Sequence, residues 1–565
     1  MPGFRRWGKS KFERNPESSF KLLAAVLVIT FYLLFKEFQH PTVRTRGTPT
    51  VGAQIQYVHW NGAGKAHVER AESVRRAMQH TFWQYREHAW GCDDILPVSG
   101  GNSSSRNGWG AFIVDAASTL ALMGLWEELA HSVEHILAID FTQTTDLVDP
   151  FETTIRYLGG LLSIVELSDV GIIPRHVMHD EARNLILAHA VTLAEKLAPA
   201  YDSPTGMPWP RVDFDSGRGR PNPAYYALEE VDHPTIGPAR IGSSILENRV
   251  LTRLTGNATY VRNATLAWAP LVWSKWTSPW AGMVDGPVDI VTGVPSGRAR
   301  HWDGGHDSYY EYLVKMAILA PPSDPYLDVY KKRFLSAAYS LRKHLTSRSA
   351  PAPDHPMQHL FIGRQDDAIY QNKQGHLACF APGTILLASQ AYSQPSLRTF
   401  ALALLEGCHH AYASTPSKIG PETWSWIPKF SYDRPHLLPQ TEQQRRQAAE
   451  TGIWSAEPQY QGRPEYVESL FYAWRITGEQ RYREWAWEAF TAMDQHCKAP
   501  HGYAQLADVY TVDSGADGAN WIDMQESFWA AETLKYLWLT FADVDVASLD
   551  TWVFSTEGHP LRMIR

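Results

Sequence analysis

The sequence predicts an all-α protein built from helical hairpins. Three observations carry this. Segments with apolar residues at helical spacing follow one another from residue 67 to residue 541. Runs with the alternation of a strand are few, 288–294 being one. No break in composition divides the body, whose length of about 500 residues then favours one large closed unit over several small domains. Consecutive hairpins can close into a barrel or stack into an open solenoid, and both layouts fit the pattern.

The chain has 565 residues, a formal charge of -8 and 44% hydrophobic residues. That is enough for a large core, and nothing in the charge balance points to nucleic acid. The aromatic content is high, with 22 Trp, 25 Tyr and 21 Phe. Most belong to a core. An excess of Trp and Tyr beside Asp and Glu also suits sugar binding, because rings stack on pyranose faces and carboxylates take the hydroxyls.

Residues 22–35 form an almost unbroken apolar run between Lys21 and Lys36. The run is shorter than the roughly 20 residues of a standard spanning helix, but residues 18–20 extend it and the lysines can reach the interface. Arg5, Arg6, Lys9, Lys11 and Arg14 precede it. The positive-inside rule then predicts a cytosolic tail at 1–19, a signal-anchor helix at 20–37, a lumenal stem at 38–64 and the helical body at 65–565. A cleaved signal peptide is the rival, and no clear small-x-small site follows Phe35. Sequons at Asn102, Asn257 and Asn263 agree with a lumenal body. Four cysteines (Cys92, Cys379, Cys408, Cys497) allow one or two disulfides there, with the pairing open.

Helices are expected in order at 67–90, 109–124, 150–167, 180–197, 243–254, 307–319, 326–345, 376–391, 397–413, 464–476, 479–496 and 523–541. The loops 201–223 and 277–305 carry Pro, Gly and Trp, and loops of that length in a compact domain usually serve a site. Residues 414–461 are the most irregular, and 441–450 reads as a polar surface insertion.

Carboxylates recur at the helix starts. Asp149 can cap, Pro150 takes the first helical position, Glu152 falls third, and Arg156 follows four residues later. A capping box with a surface ion pair is the ordinary explanation. However, Gly159-Gly160 invites close approach of another backbone, so this helix is expected to be buried. Burial would raise the pKa of Glu152, as a general acid needs. Asp307 opens another helix with Glu311 on the same face, two like charges that require a partner. Pro464 at the first helical position, capped by Gly462 or Arg463, puts Glu465 in the first turn and Glu468 one turn on. The helix dipole favours an ionised Glu465 there, which suits a general base. Asp523, Glu526 and Glu532 share a last expected helix with Phe528, and 554–560 reads as a polar, turn-like tail. In a barrel of hairpins alternate helices run parallel, so these N-termini would gather at one end around a funnel. A hard, oxygen-seeking cation such as calcium would neutralise so many carboxylates. The sequence has no zinc-spaced His/Cys cluster, nucleotide-binding glycine loop or G-x-S-x-G elbow.

These stretches resemble the class I α-1,2-mannosidases, glycoside hydrolase family 47. The likeness runs from residue 68 to 560 and includes Val114-Asp115-Ala116, 151–160, 307–312, 376–380, 420–423, 463–469, 526–528 and Thr556-Glu557. It implies an all-α (α/α)7 barrel of helical hairpins with minor β elements, plugged by a hairpin near the C-terminus. It implies a calcium ion (Ca2+) held by main-chain and side-chain oxygens of Thr556. The implied reaction is inverting hydrolysis of terminal α-1,2-linked mannose on high-mannose N-glycans. Residue by residue, Glu152 is similar to the general acid, Glu465 to the general base, and Asp307 to a third member of the catalytic set. Arg156, Glu311, Arg463, Glu468, Phe528 and Glu532 match sugar- or calcium-shell positions. Cys379 and Cys408 match the disulfide pair. With the anchor, this implies a monomeric single-pass type II protein of the endoplasmic reticulum or Golgi membrane. Four positions depart from the pattern: Ser118 for Asp, Asn248 for an aromatic, Gly462 for Leu, and Gly305 where Arg or Leu borders the glycan and bears on branch preference. The alternative is a non-catalytic or weakly catalytic mannose-glycan-binding relative acting in disposal of misfolded glycoproteins. The intact Glu152, Asp307, Glu465 and Thr556 favour the enzyme.

Overall fold

A computed structural model describes residues 54–563 apart from 145, 223–233, 275–278, 368, 431–435 and 513–517. The expected tail and anchor at 1–37 lie outside the described residues. Among the described residues no helix is long and apolar enough to cross a membrane.

The helices, in chain order, are α1 (Val68–His88), α2 (Ala111–Met123), α3 (Trp126–Ala138), α4 (150–169), α5 (Asp180–Leu197), α6 (Pro238–Gly242), α7 (Ile245–Thr255) and α8 (Thr259–Val272). There follow α9 (Asp307–Leu319), α10 (Leu327–Ser340), α11 (Phe380–Ala391), α12 (Pro395–Ala413), α13 (Glu442–Thr451), α14 (Glu465–Thr477), α15 (Arg481–His496) and α16 (529–541). The helices α2, α4, α7, α9, α11, α14 and α16 pack side by side in that order, and α16 returns to α2. The ring is therefore closed, an (α/α)7 barrel. Each inner helix is backed by an outer one: α3, α5, α8, α10, α12 and α15 in turn, with α1 behind α16. Composition sorts the two rings. Every residue of α2 and of α14 is buried, whereas α1 buries one stripe that includes Val74, Met78, Phe82 and Tyr85.

Strands are short and lie in the connections, as in the three-stranded sheets 235–236/286–289/295–299 and 373–375/423–426/453–457. The disulfide between Cys379 and Cys408 joins the entry to α11 with α12.

Four local expectations change. Residues 54–64, placed in the stem, are packed on the barrel. Tyr57 N–H donates to the Arg475 carbonyl at 2.8 Å, and buried Arg475 donates through Nη1 to Gln56 Oε1 at 3.1 Å. Those partners lie far along the chain, so local composition does not reveal them. The helix expected at 523–541 starts only at Trp529, because 523–527 is bound elsewhere: Asp523 Oδ1 accepts from Val98 N–H, and Gln525 bridges to Ile95. The polar insertion is a surface helix, α13, opened by a capping box between Thr441 and Gln444. The helices α3, α6 and α8 lie outside the expected set.

The C-terminal segment closes the barrel. Strands Trp552–Phe554 and Pro560–Arg562 pair antiparallel, and the turn between them enters the ring. Lys535 Nζ donates to the Gly558 carbonyl at 2.7 Å, and Lys315 Nζ to that of Ser555 at 3.4 Å. Room for this plug comes from α4. A Cβ at Gly159 would stand 2.7 Å from His559, and one at Gly160 2.6 Å from the Val114 carbonyl of α2. What reads in sequence as a plain polar tail is thus a buried plug.

Candidate active site

Inner-helix N-termini do gather at one end. Asp149 accepts from the Phe151 and Glu152 N–H groups and caps α4, with Pro150 in its first turn. Asp307 and Glu465 are the first residues of α9 and α14. The cap of α14 is Pro464, one residue later than expected, because Gly462 takes a left-handed φ of +80°. Its carbonyl accepts from Thr533 Oγ1 at 2.7 Å, which ties the start of α14 to α16. Glycine suits that φ, which accounts for its place there.

A cavity of about 300 Å³ lies between these ends. Glu152, Arg156, Asp307, Glu311, Arg463, Glu465, Glu468, Phe528, Glu532 and Thr556 all line it. Side-chain exposure orders them by depth: Glu152 keeps 28%, Glu465 11%, Glu468 6% and Glu311 5%. Arg156 and Glu532 sit on single π-helical turns, 154–158 and 529–533. Such turns are rare and collect at functional sites.

Arg156, buried, is the hub of the mouth side. Its Nε donates to Glu152 Oε2 at 3.0 Å, and its Nη1 to Glu557 at 3.0 Å, Ser527 at 3.1 Å and Asp115 at 3.4 Å. The guanidinium also lies 5.7 Å from the Phe528 ring centre. Two further arginines reach Glu152: Arg106 at 4.0 Å and Arg240 at 3.8 Å. The expectation of a raised Glu152 pKa is corrected here. Burial does push it up, but the Arg156, Arg106 and Arg240 charges outweigh burial and hold it below the usual glutamate range.

Glu465 differs. Its Oε2 lies 2.7 Å from His376 Nδ1, and His376 Nε2 lies 2.7 Å from Tyr412 Oη. With hydrogens assigned from these partners, Nδ1–H donates to the carboxylate. Burial raises the Glu465 pKa, while His376 and Arg463 lower it further, leaving an ionised group. Arg463 is itself held by Glu422 through Nε at 2.7 Å and Nη2 at 2.6 Å.

Asp307 behaves as Glu152 was expected to. Burial, with Asp303, Glu311 and Glu465 nearby, pushes its carboxyl up to about 7. Glu311 has the partner its position required, Lys315, one turn on and wholly buried. Lys315 also lies 3.7 Å from Glu468.

At the floor, Thr556 N–H donates to Tyr312 Oη at 3.2 Å. Glu311, Glu468, Glu532 and Glu557 line the same cavity. Burial and mutual repulsion push Glu468 up to about 8, and they also push Glu532 and Glu557 well above the usual glutamate range. The donors are hard oxygens, as a calcium site needs. Among the described residues no three carboxylates bring oxygens within 4.8 Å of one another. The hydroxyl and carbonyl oxygens of Thr556 and the carboxylates that line the same cavity are of the donor type a calcium ion takes, so the residues fit the group.

Sequence reasoning missed several members of the site. Lys315 was findable, since Asp307, Glu311 and Lys315 repeat at four-residue spacing on one helix. Arg106 and Arg240 gave no signal, for each arrives from a distant loop or short helix, while His376 lay in the matching stretch 376–380 but had no role assigned to it. Of the departures, Ser118 lies 3.4 Å from His559 Nδ1 in the plug, and Asn248 donates to the Ser244 carbonyl within α7. A Cβ on Gly305 would meet nothing within 4 Å.

Known proteins share this architecture. The model of a family described as glycosyl hydrolase family 47 matches residues 77–563. A mannosyl-oligosaccharide alpha-1,2-mannosidase of Penicillium citrinum is 34% identical over 89% of this chain and 93% of its own length. For mannosyl-oligosaccharide alpha-1,2-mannosidase 1B of Emericella nidulans the values are 36%, 87% and 93%. The solved alpha-1,2-mannosidase of Trichoderma reesei superposes with a TM-score of 0.80 at 32% identity, over 88% of this chain and 100% of that one.

The Asp307 carboxyl gives a pH test. Its pKa is about 7 in the folded protein against an ordinary 3.8. The folded state thus holds the proton more tightly, so this contribution to stability is full below the ordinary value and is lost as pH rises through about 7. Asn does not titrate. In chelated protein, Asp307→Asn should match the native chain near pH 4 and exceed its stability by on the order of 4 kcal/mol at pH 8. Denaturant titrations at both pH values check this, and a pH-independent difference would refute it.

Proposed function

The chain belongs to glycosyl hydrolase family 47 and is a glycosidase, and from that premise we propose that it hydrolyses terminal α-1,2-linked mannose from high-mannose N-glycans, with calcium bound and with inversion. One observation carries the reading. Glu152, Asp307 and Glu465 converge from the starts of three inner helices on one closed-ended cavity with Thr556 at its floor.

A closed-ended cavity of this volume takes one terminal sugar and excludes internal residues of a chain. Glu465, kept ionised by His376 and Arg463, takes a proton from water as the water oxygen attacks the anomeric carbon. The bond from that carbon to the leaving oxygen breaks, and the leaving oxygen takes a proton from an acid at the mouth. Attack opposite the departing group inverts the centre, which requires base and acid on opposite faces of the ring. Their positions on different helices support this. Glu152 is the proposed acid, nearest the mouth. Its arginines keep it charged in the free site, so it must take up a proton before the leaving oxygen can receive one from it. Asp307, the carboxyl that retains a proton near neutrality, is the proposed source of that proton. Thr556 would hold the calcium ion, with Glu311, Glu468, Glu532 and Glu557 lining the same cavity. When bound, the ion supplies positive charge that orients sugar hydroxyls and offsets the buried carboxylates.

The full chain, in detergent, incubated with a nine-mannose glycan should release single hexoses, read by mass. Chelation to remove calcium should abolish release, and added calcium restore it. No hexose loss would refute the enzyme and leave the glycan-binding alternative. Loss indifferent to chelation would refute the metal.

Glu465→Gln should lower turnover by about 10²–10⁴-fold with glycan binding retained. Near-native turnover would remove Glu465 from the base role.

The apolar run at 22–35 and the five cations before it support a single-pass type II anchor in the endoplasmic reticulum or Golgi. The chain should stay in the membrane pellet after an alkaline wash. Its release into the supernatant would argue for a cleaved leader.

A further inference from the structure

Outside the cavity the fold gathers three histidines. Strands 346–348 and 360–362 pair antiparallel, and His355 and His359 belong to the loop that joins them. That loop lies against two helices. The Asp354 N–H donates to the Ala449 carbonyl of α13 at 3.4 Å. The rings of His355 and His359 stack with that of His410 on α12, at 4.6 and 4.1 Å between centres. None of the three lines the cavity described above. One ring nitrogen from each lies within 4.8 Å of those of the other two, and among the described residues no other group of three His, Cys, Asp or Glu comes so close. The sequence shows no zinc-spaced cluster because the third histidine arrives from the far end of α12.

The spacing suits an ion. His355 Nε2 and His359 Nε2 lie 3.1 Å apart. Two imidazole nitrogens on one tetrahedral zinc, each at about 2.0–2.1 Å from it, stand about 3.3 Å apart. His410 Nε2 lies 2.8 Å from the Thr451 carbonyl at the end of α13. With hydrogens assigned from that partner, Nε2–H donates and Nδ1 keeps its lone pair. A backbone bond of this kind is the outer support that ligating histidines have. Burial and the neighbouring histidines bring His359 down to about 4 and His410 to about 3, so both rings are neutral at pH 7, the form that ligates. The His359 and His410 rings are near parallel, 5° apart, so their lone pairs converge after a turn about χ2, a soft torsion in histidine. His410 is buried while His355 and His359 are half-buried, which leaves a way in from solvent. Imidazole nitrogens select zinc-like ions over calcium, which takes oxygens, and three protein ligands leave a fourth position for water.

We propose that His355, His359 and His410 form a binding site for a transition-metal dication of the zinc class, separate from the calcium proposed at Thr556, and that the ion pins the 349–359 loop to α12. The inference makes no use of the sugar reaction.

The test strips the full chain in detergent with a chelator, restores saturating calcium, and titrates zinc in competition with a chromogenic chelator. The native chain should bind a single zinc ion with micromolar or tighter affinity, and zinc should raise its thermal midpoint. Cobalt(II) in place of zinc should give the strong visible absorption of a tetrahedral complex. His355→Phe and His359→Phe keep a ring in the stack and remove its nitrogens. Each should weaken zinc binding by about a hundredfold or more and abolish both the rise in midpoint and the cobalt absorption. If one of them fails to fold without metal, judged by thermal midpoint, the other carries the test. His88→Phe alters a different histidine pair, His88 and His501 at 4.2 Å between ring centres, and should leave all three readouts as in the native chain. Zinc affinity and cobalt absorption of native strength in both Phe variants, or no zinc bound by the native chain, would overturn the inference. Mannose release by the native chain bears on neither result, so the two readings fail separately.

Discussion

The Arg156 guanidinium is the contact on which the rest of the site depends. It is buried, it belongs to α4, and its partners come from four other places: Glu152 one turn back, Asp115 on α2, Ser527 before α16, and Glu557 in the plug. A buried cation without partners would be costly, and so would each of these carboxylates without the cation. Together they lock two inner helices to the C-terminal hairpin at one depth. The same charge sets the protonation of Glu152. Structure and chemistry at the mouth are therefore not separable: removing this cation would loosen the plug and release the acid together.

A gradient runs from that contact to the floor. At the mouth, guanidiniums outnumber what one carboxylate needs, and Glu152 is held ionised. Deeper in, carboxylates outnumber cations, and Glu468 and Glu532 are pushed towards their neutral forms. Lys315 answers only part of that excess. A bound dication would complete it. Glu465 stands between these zones with its own support, the His376–Tyr412 chain. Base and acid thus belong to different electrostatic neighbourhoods, which is how two carboxylates in one pocket take different roles.

Backbone geometry makes the packing possible. Gly159 and Gly160 remove the Cβ atoms that would collide with the plug and with α2. Gly462, in a left-handed conformation, turns the chain so that Glu465 itself opens α14. The π turns at 154–158 and 529–533 rotate Arg156 and Glu532 relative to a regular helix.

The sequence by itself determined the helical hairpins, because apolar spacing and caps are local: α5 and α9 begin and end where their patterns do, and Asp149-Pro150 starts α4 as written. It also determined which carboxylates stand at helix starts, and the motif order that names the family. The closed ring and the plug followed from the family resemblance and not from any local pattern, and only the tertiary structure decided the charge states. Glu152 shows why. Its own helix predicts burial and a raised pKa, but Arg156 one turn on, reinforced by Arg106 and Arg240, which no local pattern connects to it, holds the pKa down. Coulomb energies at a few ångströms exceed local preferences, and those distances exist only after the barrel has closed.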